Sequence, residues 1–402
     1  MRILHLSNTS IWPPMDGAGL RTCQLLRRVA TRHEVHALQL CAPERAADDR
    51  ATPAHVDADW LEQACSRLWS VSKDPAEVRV LFGFLHDAAA IRTGLKGALD
   101  RDYDVVWGHS ADWAYFLPRH LLERTLLDVQ DCYDLSYRRQ AKAASLRRRA
   151  KLAVKRRLYR YYARKYMSAV NTLVMVNQAD ADSVARILPG AKVEVVANGV
   201  DTRYYAPPGD WSRRPDAPTL VFTGVMSARQ NVDAVRFFAR RVLPLIRESV
   251  PGCCFQIVGR SPGKRVRELE DPRAGVQVVG GVPDIRPYLW DATLYVAPMI
   301  SGTGIKNKIL EAWAAGCAVV STGLGGEALR ARHDENILLA DGPREMARQV
   351  ARAMQDPALR SRLGRRGRET ARQHYNWETH ASHFERLLFE AANGLDGRRR
   401  TA

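Results

Sequence analysis

The sequence predicts an α/β protein made of two doubly wound, Rossmann-like domains. Three observations carry this. Short apolar runs of buried-strand type alternate with helix patterns along the chain. At 402 residues and 46% hydrophobic content, the chain is too long for one ordinary core. Residues 206–219 are rich in Pro, Gly, Ser, Arg and Asp, with Pro207-Pro208 near their head, which places a linker mid-chain. The expected domains are therefore 1–205 and 206–373. A last segment, 374–402, holds a helix and a basic tail, Arg398-Arg399-Arg400, that reads as disordered.

The formal charge is +17 and the sequence pI about 9.8. Such a balance favours anionic partners, although an Arg- and Ala-rich composition also writes surface cations wherever they are tolerated. No apolar run approaches the roughly 20 residues of a membrane span. The N-terminus lacks the apolar core and cleavage site of a signal peptide and reads as a first strand. Seven scattered cysteines contain no Cys-x-x-Cys pair, so neither a disulfide framework nor a zinc site is expected, and a cytoplasmic location is.

Residues 2–7 are the first strand. Loop 9–18 follows, and Pro13-Pro14-Met15-Asp16-Gly17-Ala18-Gly19 leads into helix 20–29 and strand 34–40. Gly17 and Gly19 let the backbone pass close to a ligand, and a plain tight turn fits them equally. Helix patterns at 57–65 and 75–99 bracket a strand near 68–71. Residues 103–110 form a buried strand that ends in His109. Ligands in such sheets bind beyond the carboxyl ends of the strands, so His109 stands where substrate is met, or else is a structural histidine. Strand 125–129 runs into Gln130-Asp131-Cys132-Tyr133-Asp134. Asp128 and Asp131 are candidates to orient a substrate hydroxyl or take its proton, and Asp134 to cap the next helix.

Between residues 138 and 165 cations recur without one acidic residue: Arg138, Arg139 and Lys142 first, then ten more from Arg147 to Lys165. Leu146, Ala150, Val154, Leu158 and Tyr162 recur every four residues and predict an apolar stripe on a long helix. Tyr159, Tyr161 and Tyr166 add amphipathic rings. This pattern fits an anionic membrane surface, each cation contributing roughly 1 kcal/mol near it. A solvated helix with its stripe packed on its own domain is the alternative. Nucleic acid is not expected, because no base-stacking motif accompanies the charge. Strand 172–176, Asn177 as a cap, helix 179–188 and strand 192–196 complete this half, and Asn198-Gly199-Val200-Asp201 ends it.

In the second half, strand 220–222 ends in Thr223-Gly224-Val225-Met226-Ser227-Ala228-Arg229-Gln230-Asn231, before helix 232–242. Strands 255–258 and 276–279 end in loops carrying Arg260 and Pro283. Strand 292–297 runs into Gly302-Thr303-Gly304-Ile305-Lys306-Asn307-Lys308-Ile309-Leu310-Glu311-Ala312, a Gly-rich turn and then a helix over 305–315 closed by Gly316. A strand, a Gly-rich turn and a helix N-terminus present bare N–H groups that suit a phosphate. Lys306 and Lys308 lie in the first turn, where the helix dipole disfavours cations unless an anion is there. An ordinary strand–helix connection with surface lysines is the plain alternative. Strand 336–339 and helices 344–355, 357–373 and 377–392 follow.

Residues 302–312 and Asn198–Asp201 resemble the GT4 family of retaining glycosyltransferases, which have the GT-B fold, in the subgroup with a Gly-Thr-Gly-Ile-Lys-x-Lys-x-Leu-Glu-Ala motif. The resemblance implies two Rossmann-like domains facing across a cleft, the terminal helix returning to the first. Glu311 matches the family's ribose-binding glutamate. Thr303 stands where the broad family has another glutamate, and it cannot accept two hydrogen bonds as an anion. Val225 and Gln230 replace a phosphate-clamping arginine and lysine, for which Arg229, Lys306 and Lys308 are the expected substitutes. The implied donor-binding set is Gly17, Gly19, Gly224, Arg229, Arg260, Pro283, Thr303, Gly304, Ile305, Lys306, Lys308 and Glu311. Arg21, Asp128 and Asn198 are expected in the cleft, with Arg21 at a phosphate. His109 and Asp131 are the catalytic candidates.

The expected function is transfer of a sugar from a nucleotide-sugar donor to an acceptor hydroxyl, in cell-surface polysaccharide or glycolipid assembly. The acceptor would be a sugar, a lipid-linked glycan or a small molecule. Retention comes from the resemblance alone. No cofactor and no metal are expected: Asp57-Ala58-Asp59 and Asp180-Ala181-Asp182 fall in helix patterns, and Asp102-Tyr103-Asp104 precedes its strand. The rivals are a natural-product transferase, a non-catalytic basic protein binding nucleotides or membranes, and a Rossmann oxidoreductase. The last needs a complete Gly-x-Gly-x-x-Gly, which the loops do not supply.

Overall fold

The structure, a computed structural model, describes residues 1–12, 17–41, 60–72, 79–81, 84–86, 89–142, 144–209 and 218–394. The Pro13–Asp16 stretch, the Asp57–Asp59 string, the middle of the linker and the arginine tail lie outside them. The chain forms two compact units. The first runs to Asn198 and takes the chain back from Trp377; the second is Gly199–Asn376. The division falls ahead of the linker because Val200 is tied into the second unit. Its N–H donates to the Tyr375 carbonyl at 2.8 Å, and it bridges Asn376.

The first unit holds a seven-stranded sheet of β1 (Arg2–Ser7), β2 (Glu34–Cys41), β3 (Arg67–Ser72), β4 (Val105–His109), β5 (Thr125–Gln130), β6 (Thr172–Met175) and β7 (Val193–Val195). Every pair is parallel, in the order β3-β2-β1-β4-β5-β6-β7. Period-2 alternation splits the strand residues between two cores. Leu4, Leu6, Val106 and Leu127 join one cluster, and Ile3, Val105, Trp107 and Leu126 the other.

The helices that matter here are α1 (Gly17–Val29), α2 (Tyr133–Lys142), α3 (Leu146–Tyr166) and α4 (Gln178–Ile187). Asn177 caps α4, accepting from the Asp180 N–H. The helix expected over 75–99 is confined to Ala89–Ala98, and an antiparallel pair, Arg79–Leu81 with Phe84–His86, precedes it. Val80 and Phe84 favour strands over helix.

The second unit holds a six-stranded parallel sheet: β8 (Thr219–Thr223), β9 (Cys254–Val258), β10 (Val276–Gly280), β11 (Leu294–Ala297), β12 (Val319–Ser321) and β13 (Leu338–Leu339), in the order β10-β9-β8-β11-β12-β13. Helix α5 (Arg229–Phe237) follows β8, and α6 (Asn307–Ala314) follows the Gly-rich turn. Helix α7 (Trp377–Ala392) belongs to the first unit, where Phe384 packs 4.9 Å from Trp107. Among the described residues no helix is long and apolar enough to cross a membrane.

In both sheets the strand order reverses next to the first strand, between β1 and β4 and between β8 and β11. Loops leaving the carboxyl ends of such strands diverge and open a crevice, where ligands of doubly wound sheets bind.

Candidate active site

In the second unit the crevice is built by backbone. The Gly224 N–H donates to the Val258 carbonyl at 3.1 Å, Met226 N–H to Arg260 at 2.9 Å, and Gly259 N–H to Gly280 at 2.7 Å. The loops after β8, β9 and β10 are thereby stitched side by side. A Cβ on Gly259 would come within 1.7 Å of the Gly224 oxygen, so no larger residue fits this approach. Arg260 is held here by its backbone, and Pro283 is exposed on the loop after β10.

Across the switch point the Gly-rich turn leaves β11. Gly302 (φ 107°) and Gly304 (φ 70°) take left-handed conformations that a side chain would strain. Thr303 and Ile305 are half-buried between and after them. Helix α6 starts at Asn307, later than the apolar pattern suggests, and Lys306 is its N-cap. Lys306 is buried, and its Nζ donates to the Thr303 carbonyl at 2.6 Å and the Gly304 carbonyl at 3.1 Å. Its ammonium thus closes the turn instead of being presented to a phosphate.

Lys308 reaches instead to the loop after β8. Its Nζ lies 4.1 Å from the centre of the Phe222 ring and donates to Asn231 Oδ1 at 2.5 Å. A Cβ on Gly224 would be 2.9 Å from that Nζ. Asn231 Nδ2 in turn donates to the Val225 carbonyl at 2.9 Å, which fixes the amide's orientation. Burial pushes the Lys308 amine down to about 7, despite the opposing pull of Glu311, and pushes the Glu311 carboxyl up to about 7.

Arg229 does not join this group. It is exposed and pairs along its helix with Asp233 at 3.5 Å, while Gln230 is what lies against Gly302. The residues that sequence reasoning missed here are Asn231, Phe222 and the stack beside Pro283. In that stack the Arg286 guanidinium, held by Asp284 at 2.7 Å, lies 4.1 Å over the Tyr204 ring. No motif marks them, because each is an ordinary residue made relevant by its neighbour.

In the first unit His109 closes β4 and is buried. Its Nε2 is 2.7 Å from Gln130 Nε2 and its Nδ1 3.5 Å from Ser7 Oγ. The Gln130 amide donates to Nε2, which leaves the ring proton on Nδ1. Ser110 (φ 99°) and Gln130 (φ 68°), just past β4 and at the end of β5, hold left-handed backbones without being glycine. Such strain is of order 1–3 kcal/mol per residue and gathers at functional sites. Asp131 follows, half-buried.

In the first unit four expectations need correction. Arg21 is not presented to a phosphate. It is fully buried, and its Nε donates to Asp128 Oδ2 at 2.8 Å and its Nη1 to Asn198 Oδ1 at 2.9 Å and the Ala197 carbonyl at 3.1 Å. Asp128, equally buried, answers that charge and is not offered to a substrate hydroxyl. Asn198 is held by the same guanidinium. Gly17 and Gly19 lie in the first turn of α1 and not in a loop, with Gly19 buried. Asp134 is inside α2, where it accepts from Arg156 at 3.1 Å and Arg160 at 2.8 Å and so ties α3 down.

On α3 the buried residues are Leu152, Tyr159, Tyr162 and Ala163. Of the expected stripe only Tyr162 is buried, and Leu146 is 82% exposed. Among the described residues no three His, Cys, Asp or Glu side chains gather as metal ligands.

A stretch of 115 residues is 36% identical to the lipopolysaccharide core biosynthesis glycosyltransferase LpsE of Rhizobium meliloti (strain 1021), and it spans 28% of this chain and 34% of that protein. Both units together resemble sucrose-phosphate synthase from Thermosynechococcus elongatus, with a TM-score of 0.70 and 15% identity over 97% of this chain and 99% of that one. They also resemble Anabaena HepE in complex with UDP-glucose, with a TM-score of 0.65 and 16% identity over 97% and 100%. These likenesses establish the fold as two Rossmann-like domains of the GT-B type. Residues 217–356, which hold the whole second sheet, match the family of glycosyl transferases group 1.

Proposed function

We propose that the chain is a glycosyltransferase of the GT4 kind, moving a hexosyl group from a nucleoside-diphosphate sugar to an acceptor hydroxyl. The observation that carries this is the meeting of Lys308, Gly224 and the Gly302–Gly304 turn at the β8/β11 switch point. A pyrophosphate there would meet backbone N–H groups and one desolvated ammonium. Such preorganised donors stabilise the charge that develops on a leaving diphosphate, without a metal in this reading. Lys306 holds the turn in shape, and Glu311 is the partner for the ribose hydroxyls. The second unit takes the donor and the first the acceptor, with His109 and Asp131 at the reacting end. Retention is part of the proposal through the family likeness.

The pathway we favour is cell-surface polysaccharide or glycolipid assembly, in line with the relative named for lipopolysaccharide core biosynthesis. The exposed face of α3 supports a location on the inner side of an anionic membrane. Leu146, Val154 and Tyr161 are exposed there, flanked by exposed Arg147, Lys151, Arg157 and Lys165. An apolar strip between cations suits a bilayer with acidic headgroups.

The test is thermal melting with UDP, GDP and dTDP and their sugars. A ligand at a hundred times its Kd adds about 2.7 kcal/mol and raises Tm. A rise with at least one nucleoside diphosphate is expected. No rise with any of them, or a rise with NAD(P) alone, overturns the reading.

A further inference from the structure

We infer that Tyr133 is the stacking floor of an acceptor subsite that takes a neutral saccharide ring, with the half-buried Asp131 receiving its hydroxyls and the buried Asp112 adding negative charge beside it. This rests on the transferase reading and specifies its acceptor side.

Tyr133 opens α2, two residues beyond Asp131 and three beyond Gln130. Its ring stacks on Tyr137 at 6.0 Å and 21°, and meets the edge of Tyr159 at 5.9 Å. The Lys155 ammonium lies 5.6 Å from the centre of the Tyr137 ring. The ring is therefore fixed, yet 40% of Tyr133 is exposed. A rigid aromatic left open beside a strand's carboxyl end is a surface on which a ligand can lie at small entropic cost.

Its polar surroundings are equally fixed. Asp112 Oδ2 accepts from Ser110 Oγ at 2.8 Å and from Asn8 Nδ2 at 3.4 Å. Burial, and then the negative charges of Asp112 and Asp131, push the Tyr133 phenol up to about 12. His109 and Gln130 close the strand ends next to them.

A pyranose has C–H bonds on its faces and hydroxyls around its rim. The open ring suits the first and Asp131 the second. The two carboxylates repel a phosphate, so this end of the first unit would refuse the donor's diphosphate, which the lysine-bearing turn of the second unit suits.

The experiment is saturation-transfer NMR on the full chain with UDP, GDP or dTDP present, using methyl glucoside, methyl galactoside, methyl mannoside and N-acetylglucosamine as probes. Nucleotide melting shifts are measured on the same samples. Wild type should give a saccharide signal. Tyr133→Ala should lose it at least tenfold, Tyr133→Phe should keep most of it, and both should keep the nucleotide shift. Tyr133→Leu fills the space without a flat ring; it should lose the signal too, and it replaces the alanine variant if that does not fold. A wild type that binds a nucleotide but no saccharide overturns the proposal, as does a signal indifferent to Tyr133→Ala and Tyr133→Leu. A saccharide signal that depends on Tyr133 in a protein blind to every nucleotide would sink the transferase reading and leave the subsite standing.

Discussion

Arg21 and Asp128 form an ion pair at 2.8 Å in which neither side chain reaches solvent. The guanidinium also holds Ala197 and Asn198, so it joins the end of β5 to the segment leaving the first unit. Removing one partner strands a buried charge, which typically costs about 3–5 kcal/mol. Asp128→Ala should lower the urea-unfolding free energy by that order. Arg21→Met with Asp128→Leu should recover most of it, since two apolar groups bury no charge. A double variant as unstable as the single one would refute this account.

Gly259 meets the Gly224 carbonyl so closely that even a methyl group must move backbone. Gly259→Ala should cost about 1–3 kcal/mol in equilibrium unfolding. It should also weaken nucleoside-diphosphate binding more than the stability loss explains, because it spreads the loops after β8 and β9. Isothermal titration on the folded variant reads this directly.

Lys306 and Lys308 are predicted to differ. Lys308→Gln removes the ammonium facing Gly224, a charged hydrogen bond of about 1.5–3 kcal/mol, and should weaken binding roughly 10- to 150-fold. Lys306→Gln removes the clasp on Thr303 and Gly304 and should act mainly through stability. Equal losses of affinity at equal stability would contradict the geometry.

The same lysine sets a pH dependence. With its amine at about 7, Lys308 loses its charge as pH rises past neutrality. The pyrophosphate of a nucleotide sugar does not titrate between pH 6 and 9. Affinity should therefore fall above pH 7, by up to about tenfold per unit. Lys308→Arg should flatten the profile.

Stability in the absence of ligand follows the opposite sign in two windows. From about 7 to the ordinary 10.5 of lysine, the unfolded chain holds the extra proton, so stability rises with pH. From the ordinary 4.5 of glutamate to about 7, the folded chain holds it through Glu311, so stability falls as pH rises. The pair destabilises most near pH 7, and Lys308→Met with Glu311→Gln should level that dip in urea titrations.

The α3 face predicts cosedimentation with vesicles containing acidic lipid, fading as salt rises. Leu146→Glu with Val154→Glu should abolish it while leaving Tm within a degree or two, because both side chains already face water. Equal recovery with neutral vesicles would count against a charged surface.

The amino-acid sequence by itself determined the two sheets and the loops that leave them. Alternating strand and helix periods, and glycines where the backbone must turn left-handed, are local properties that read directly: Gly302, Gly304 and strand-ending His109 were legible for that reason. Tertiary structure alone decided which partner each charge meets. Arg21 and Arg229 carry the same charge, yet one is spent on buried Asp128 and the other on Asp233 at the exposed surface of its own helix. Lys306 and Lys308 are two residues apart, but one folds onto its own turn and the other reaches Phe222 and Asn231 from a different strand and helix. Partner choice depends on distances across the sheet and on what burial leaves uncompensated, and neither quantity is written in the spacing of residues along one segment.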